Sequence, residues 1–154
     1  MVSQFSSGGF QLACLFARPE KIPRGGTPGL LICHGFPTTA EESNNAALPY
    51  YELAERVAID VGWASLAFTY SGCGESEGDF SPGGWLADIV NATHYLSGLE
   101  DVTRVYLVGF GTGGALAMVA AATDSLVAGV AAVSSQADFD DWQNKPEGRF
   151  GYAR

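Results

Sequence analysis

Val105-Tyr106-Leu107-Val108-Gly109-Phe110-Gly111-Thr112-Gly113-Gly114 is the stretch that decides the fold of this chain. Arg104 to Val108 is a short apolar run and reads as a strand covered on both faces. The run breaks at Gly109, and an alanine-rich helix is expected from about Gly113 to Thr123. A buried strand that turns this sharply into a helix brings two backbones close together. Small residues on both sides of the turn permit that approach.

Upstream, the pattern alternates. Val2 to Phe5 and Phe10 to Arg18 read as two strands joined by Ser6-Ser7-Gly8-Gly9, a hairpin turn. Pro19 to Pro28 is a connection rich in proline, glycine and charge, and Gly29 to Cys33 is a third strand ending at His34-Gly35. Phe36 to Asn45 reads as a loop. A helix is expected next, with Tyr51, Ala54, Val57, Ala58 and Val61 on its buried face. Ala64 to Tyr70 is a fourth strand that runs into the glycine-rich turn Ser71 to Gly78. Ser81-Pro82 has the residue types of a helix start, and Leu86, Ile89, Val90, Thr93 and Leu96 form the expected stripe of that helix. After the helix that follows Gly111, Leu126 to Val133 reads as a sixth, buried strand, and Asp138 to Arg154 has no clear period. Strands and helices in this order specify an α/β fold: a mostly parallel sheet with helices on both faces. The three glycine-rich turns follow three successive strands and gather on one sheet edge, where ligands of such sheets bind.

The elbow segment has the spacing of G-x-S-x-G, in which a strained strand-to-helix turn presents a nucleophilic serine. Gly109 and Gly113 occupy the flanking positions, and the central position is Gly111. His34-Gly35-Phe36-Pro37, Ser71 to Gly78 and Gly109 to Gly114 together resemble the three active-edge turns of the α/β-hydrolase family, in particular its single-domain esterase, lipase and peptidase branch. The resemblance runs from residue 34 to 114, and the hairpin and last strand extend it to about 133. It implies an oxyanion hole made by the backbone N–H groups of Phe36 and Thr112, with His34 and Gly35 shaping one turn and Gly109 and Gly113 the other. It also implies a parent activity, hydrolysis of carboxyl esters or related acyl bonds. The family orders its triad as nucleophile, acid, histidine. The two histidines here, His34 and His94, both precede the elbow. The chain therefore reads as a single, incomplete α/β-hydrolase domain over residues 1–154, truncated after about the sixth strand and inactive as it stands.

Competing readings are weaker. Gly109-x-Gly111-x-x-Gly114 satisfies the dinucleotide spacing, but that turn belongs after a first strand and not after a fifth. A hydroxyl at Thr112 reads as solvated or capping. Cys73 has no evident histidine partner and reads as a packing residue. Asp138 follows the last strand, where some relatives place the acid, yet Asp140 and Asp141 beside it suggest a solvated acidic loop.

Bulk properties narrow the rest. With 17 acidic and 8 basic residues the net charge is −9, which disfavours nucleic acid and anionic membrane as partners. No apolar run approaches the ~18 residues of a membrane span, and the N-terminus has no signal-peptide pattern. Cys14, Cys33 and Cys73 have no paired spacing, so neither a disulfide framework nor a metal site is expected, and the compartment reads as reducing and cytoplasmic. No cofactor is expected. A small acyl or ester ligand fits the turns, and self-association fits a sheet whose apolar edge is left open. Two accounts of Gly111 stand: a serine hydrolase altered at its nucleophile, or a non-catalytic relative that binds an acyl ligand or a protein at the old active-site edge.

Overall fold

A computed structural model of the chain describes residues 2–135. Six strands form one sheet in the order β1-β2-β4-β3-β5-β6. β1 (Val2–Ser7) and β2 (Phe10–Ala17) pair as an antiparallel hairpin, with Phe5 opposite Leu12. The two-residue turn Gly8-Gly9, both at positive φ, closes it one step later than the Ser6–Gly9 turn expected. β2 pairs antiparallel with β4 (Ala64–Phe68); β4, β3 (Thr27–Cys33), β5 (Val102–Phe110) and β6 (Val127–Val133) are parallel. This is the mostly parallel sheet with helices on both faces that the sequence predicts.

Two layers of helix cover it. On one face α2 (Leu48–Arg56) and a π-helical turn (Val57–Val61) place Ala54 and Ala58 against Leu15, Ile32 and Ala67. On the other, α3 (Pro82–Ser97) and α4 (Thr112–Thr123) bury Trp85, Ile89, Leu96, Leu116 and Ala120 over Leu31, Leu66, Phe68 and Leu107. α3 starts where its residue types require: Ser81 caps it, accepting from the Gly84 N–H at 3.0 Å, and Pro82 follows.

Several local expectations shift for physical reasons. The stripe Tyr51–Val61 assumes 3.6 residues per turn throughout. The π-helical turn breaks that period, so Val61 faces solvent while Ala54 and Ala58 are buried. In α3 the expected Ile89, Thr93 and Leu96 are buried, but Trp85, Asp88 and Ala92 complete the buried face while Leu86 and Val90 are only partly buried at its edge. The expected loop Phe36–Asn45 holds a short helix, α1 (Ala40–Asn44), capped by Thr39, whose hydroxyl accepts from the Glu42 N–H at 3.0 Å. Strand β6 is not buried as expected: Val130 and Val133 are about two-fifths exposed, because no described element covers their side. Among the described residues no helix is long and apolar enough to cross a membrane.

Candidate functional site

β3 and β5 are neighbours in register, with Cys33 opposite Gly109, so the turns that follow them meet. β5 runs through Gly109 to Phe110, and Gly111 makes the bend into α4. Gly111 has φ 52° and ψ −122°, a conformation that side-chain-bearing residues adopt only under strain. A Cβ built on Gly111 would meet no atom of the described residues within 4 Å. The position thus stands at the top of the sheet with free space in front of it.

The flanking glycines serve closeness. A Cβ on Gly113 would lie 2.1 Å from the His34 carbonyl oxygen and 2.6 Å from that of Cys33. One on Gly109 would lie 2.4 Å from the Gly114 Cα. The first turn of α4 therefore rests directly on the end of β3, and Gly35 approaches the Phe110 carbonyl. Thr112 and Gly113 begin α4, so their N–H groups have no intrahelical acceptor and point out of its positive end. Thr112 is 4% exposed, which rules out a solvated side chain, and the capping position belongs to Gly111.

His34 is a brace. It is 1% exposed; its Nδ1 lies 2.7 Å from the Gly35 carbonyl, and its Nε2 accepts from the Tyr70 N–H at 3.4 Å. With Nε2 an acceptor, Nδ1 carries the proton and donates. Both nitrogens are thereby used to tie the turn after β3 to the end of β4. Burial lowers the His34 pKa from 6.5 to about 4, against the smaller opposing pull of the Gly35 carbonyl. The unfolded chain takes up this proton near pH 6.5 and the folded one only near pH 4. Stability should therefore fall as pH drops through that window, by about 3 kcal/mol in all, and level off below it. Urea unfolding midpoints for the wild type and His34→Gln, measured across pH 7 to 4, should show this slope only in the former; parallel curves would refute it.

His94 is placed elsewhere. Its Nε2 lies 3.1 Å from Asp124 Oδ2 at the C-terminal end of α4. At 1.5 Å per residue that is roughly 18 Å from the elbow. Neither histidine can serve position 111 as a base. Cys73 is buried, and burial pushes its thiol up to about 11, so it is inert packing as expected. Asp138 lies outside the described residues. Among the described residues no cluster of three or more His, Cys, Asp or Glu could hold a metal ion.

Behind the turns sits a polar brace that the sequence reading missed. Asp88, 2% exposed, accepts from the Ser7 hydroxyl at 2.6 Å and from the Ser71 N–H at 2.9 Å. Trp85 Nε1 donates to the Ser71 carbonyl at 3.0 Å. Ser71, the first residue of the turn after β4, is thus held from both sides by α3. Trp85 then stacks on Tyr70 at 4.2 Å and meets Phe36 at 5.5 Å and Phe80 at 4.9 Å, so the edge is floored with rings. The spacing 85, 89, 92, 96 is itself a helical stripe and could have revealed Trp85.

A cavity of about 310 Å³ adjoins this edge. His34, Gly35, Phe36 and Pro37 form one wall, and Glu42, Asn45, Pro49 and Tyr50 the other. Glu42 was legible in principle, since Thr39-Ala40-Glu41-Glu42 has the spacing of a capping box.

Known structures share this architecture. Est1E from Butyrivibrio proteoclasticus, solved with bound ferulic acid, is 27% identical with a TM-score of 0.67, over 83% of this chain and 50% of that one. A hypothetical protein from Pseudomonas aeruginosa is 26% identical with a TM-score of 0.73, over 88% of this chain and 42% of that one. GrgF, an alpha/beta hydrolase from Penicillium sp. sh18, shares the fold at 22% identity and a TM-score of 0.76, over 95% of this chain and 50% of that one. The chain thus spans about half the length of these relatives. No curated protein sequence matches significantly. A sequence model described as the alpha/beta hydrolase family matches residues 30–154, and the chain belongs to that family.

Proposed function

We propose that the edge formed by the His34–Phe36 turn and the Gly111 elbow binds an ester or related acyl ligand and does not hydrolyse it. The observation that carries this reading is Gly111 itself: the bend keeps the conformation that presents a nucleophile, with free space before it, and has no side chain. Covalent catalysis needs a nucleophile and a base to activate it. Position 111 supplies no nucleophile, and His34 and His94 are both engaged away from it. The backbone donors remain. The N–H of Thr112 at the positive end of α4, together with that of Phe36, would polarise an acyl carbonyl. In a parent enzyme with serine at 111 the same donors would stabilise the tetrahedral oxyanion of ester hydrolysis. An aromatic acyl group suits the ring-floored edge, and the solved Est1E holds ferulic acid.

Calorimetric titration with an aryl ester, run alongside an assay for released phenol, tests this. Saturable binding without release is expected. Multiple turnovers by the chain as it stands would overturn the reading.

A further inference from the structure

We infer that the cavity beside the His34–Phe36 turn selects acyl ligands whose far end carries an ammonium group, with Glu42 as the selecting residue. The inference rests on the proposed acyl site and adds the chemical class of its ligand.

Three observations carry it. First, the cavity and the elbow share a wall. His34, Gly35 and Phe36 line the cavity, while the His34 carbonyl lies against Gly113. A carbonyl held at the elbow would therefore send its substituent past this wall into the cavity.

Second, Glu42 is held in place by its neighbours. Thr38 donates twice to the same carboxylate oxygen, Oε2, from its N–H at 2.7 Å and its hydroxyl at 2.5 Å. These bonds, the hydroxyl's first, hold the Glu42 carboxyl below its ordinary pKa, so it is ionised at neutral pH. The Thr39 N–H adds a weaker pull in the same direction. An exposed carboxylate fixed in this way keeps lone pairs for a ligand and is a preformed acceptor for a cation.

Third, the remaining lining suits a cation and not an anion. Tyr50 offers an aromatic face and Asn45 a further polar side chain; no lysine or arginine lines the cavity, and burial keeps His34 neutral. The net charge of −9 adds general attraction for a cationic ligand and repels anionic ones.

The test compares two esters of nearly equal shape, methyl para-(aminomethyl)benzoate and methyl para-ethylbenzoate, titrated into the wild-type chain and into Glu42→Gln. Tryptophan fluorescence reports binding through Trp85 in the ring cluster. Glu42 is exposed, and near-ultraviolet circular dichroism checks that the variant keeps its fold. The wild type should prefer the ammonium ester by about tenfold, a factor in keeping with one partly solvated charge-assisted bond. Glu42→Gln should lose that preference and bind the neutral ester as before. Raising the salt concentration should shrink the preference. Equal binding of the two esters by the wild type, or a preference that survives in Glu42→Gln, overturns the role of Glu42 and leaves the acyl site standing. Binding of neither ester overturns the acyl site and this inference with it.

Discussion

Gly111→Cys is expected to become acylated once, rapidly, by an activated aryl ester, and then to stop. Space is available, because a Cβ on residue 111 meets no atom of the described residues within 4 Å. The backbone strain of a side chain at φ 52° costs on the order of 1–2 kcal/mol, which a packed elbow can absorb. Cysteine also needs no base to activate it, and neither His34 nor His94 is placed to act as one. Placed immediately before Thr112, its sulfur sits at the positive end of α4, where a thiol loses its proton more readily than in water. The thiolate attacks the acyl carbonyl, the phenolate leaves, and the transient oxyanion meets the donors at the head of α4. One such donor is worth a factor of about 10² to 10³ in a working enzyme. The adduct should persist, since hydrolysing the thioester again calls for a base that neither His34 nor His94 can provide at this position.

Intact-mass spectrometry reads the result. Gly111→Cys should gain one acyl group roughly 10² times faster than Met118→Cys, a cysteine on the exposed side of the same helix but away from its N-terminus. The native cysteines are internal controls. Cys14, Cys33 and Cys73 are all buried with free thiols, and burial raises the pKa of each, so the wild type should take up no acyl group. Equal rates at positions 111 and 118 would mean that the head of α4 does not stabilise an oxyanion, and the acyl-site reading would fall with it.

The parts of this molecule that were legible in its sequence are those where one local force acts without competition. The strand ending at Gly109 and the helix after Gly111 were legible because an apolar run and an alanine run each point to one structure. Ser81-Pro82 marked the start of α3 because a cap and a fixed φ agree. The elbow was legible because close backbone approach tolerates almost nothing but glycine. What escaped the reading depends on tertiary partners. Val61 obeys a helical period that the π-helical turn interrupts, and nothing local announces that extra residue. Trp85 and Asp88 lie one step around α3 from the expected stripe. Their burial is set by Tyr70 and Ser71, some fifteen residues earlier in the chain. Glu42 sits in a stretch that read as loop because the polar run from Thr38 to Asn45 lacks an apolar face. The capping signal Thr39-Ala40-Glu41-Glu42 is local to that stretch, but a five-residue helix shows no apolar period.

Gly113→Ala should be strongly destabilising, and the reason separates closeness from strain. The added Cβ would sit 2.1 Å from one carbonyl oxygen and 2.6 Å from another, both main-chain atoms of the β3 end. A flexible side chain could swing away from such a contact, but a strand held by ladders on both sides cannot. Relief requires α4 to lift from the sheet, which loosens Leu116, Ala117 and Ala120 from the core they share with Leu107. Overpacking of this kind costs about 3 kcal/mol, or roughly 10 °C in Tm for a domain of this size. Two comparison variants isolate the cause. Gly111→Ala adds the same methyl where space is open but φ is positive, and should cost only about 1–2 kcal/mol. Gly83→Ala adds it on α3 with open space and no positive φ, and should stabilise by about 0.5–1 kcal/mol. Differential scanning calorimetry should therefore rank the three as Gly113→Ala lowest, Gly111→Ala intermediate and Gly83→Ala above the wild type. If Gly113→Ala melts no lower than Gly111→Ala, then the end of β3 does not press on the first turn of α4. The elbow would then lack the contact that puts position 111 beside the turn at Phe36.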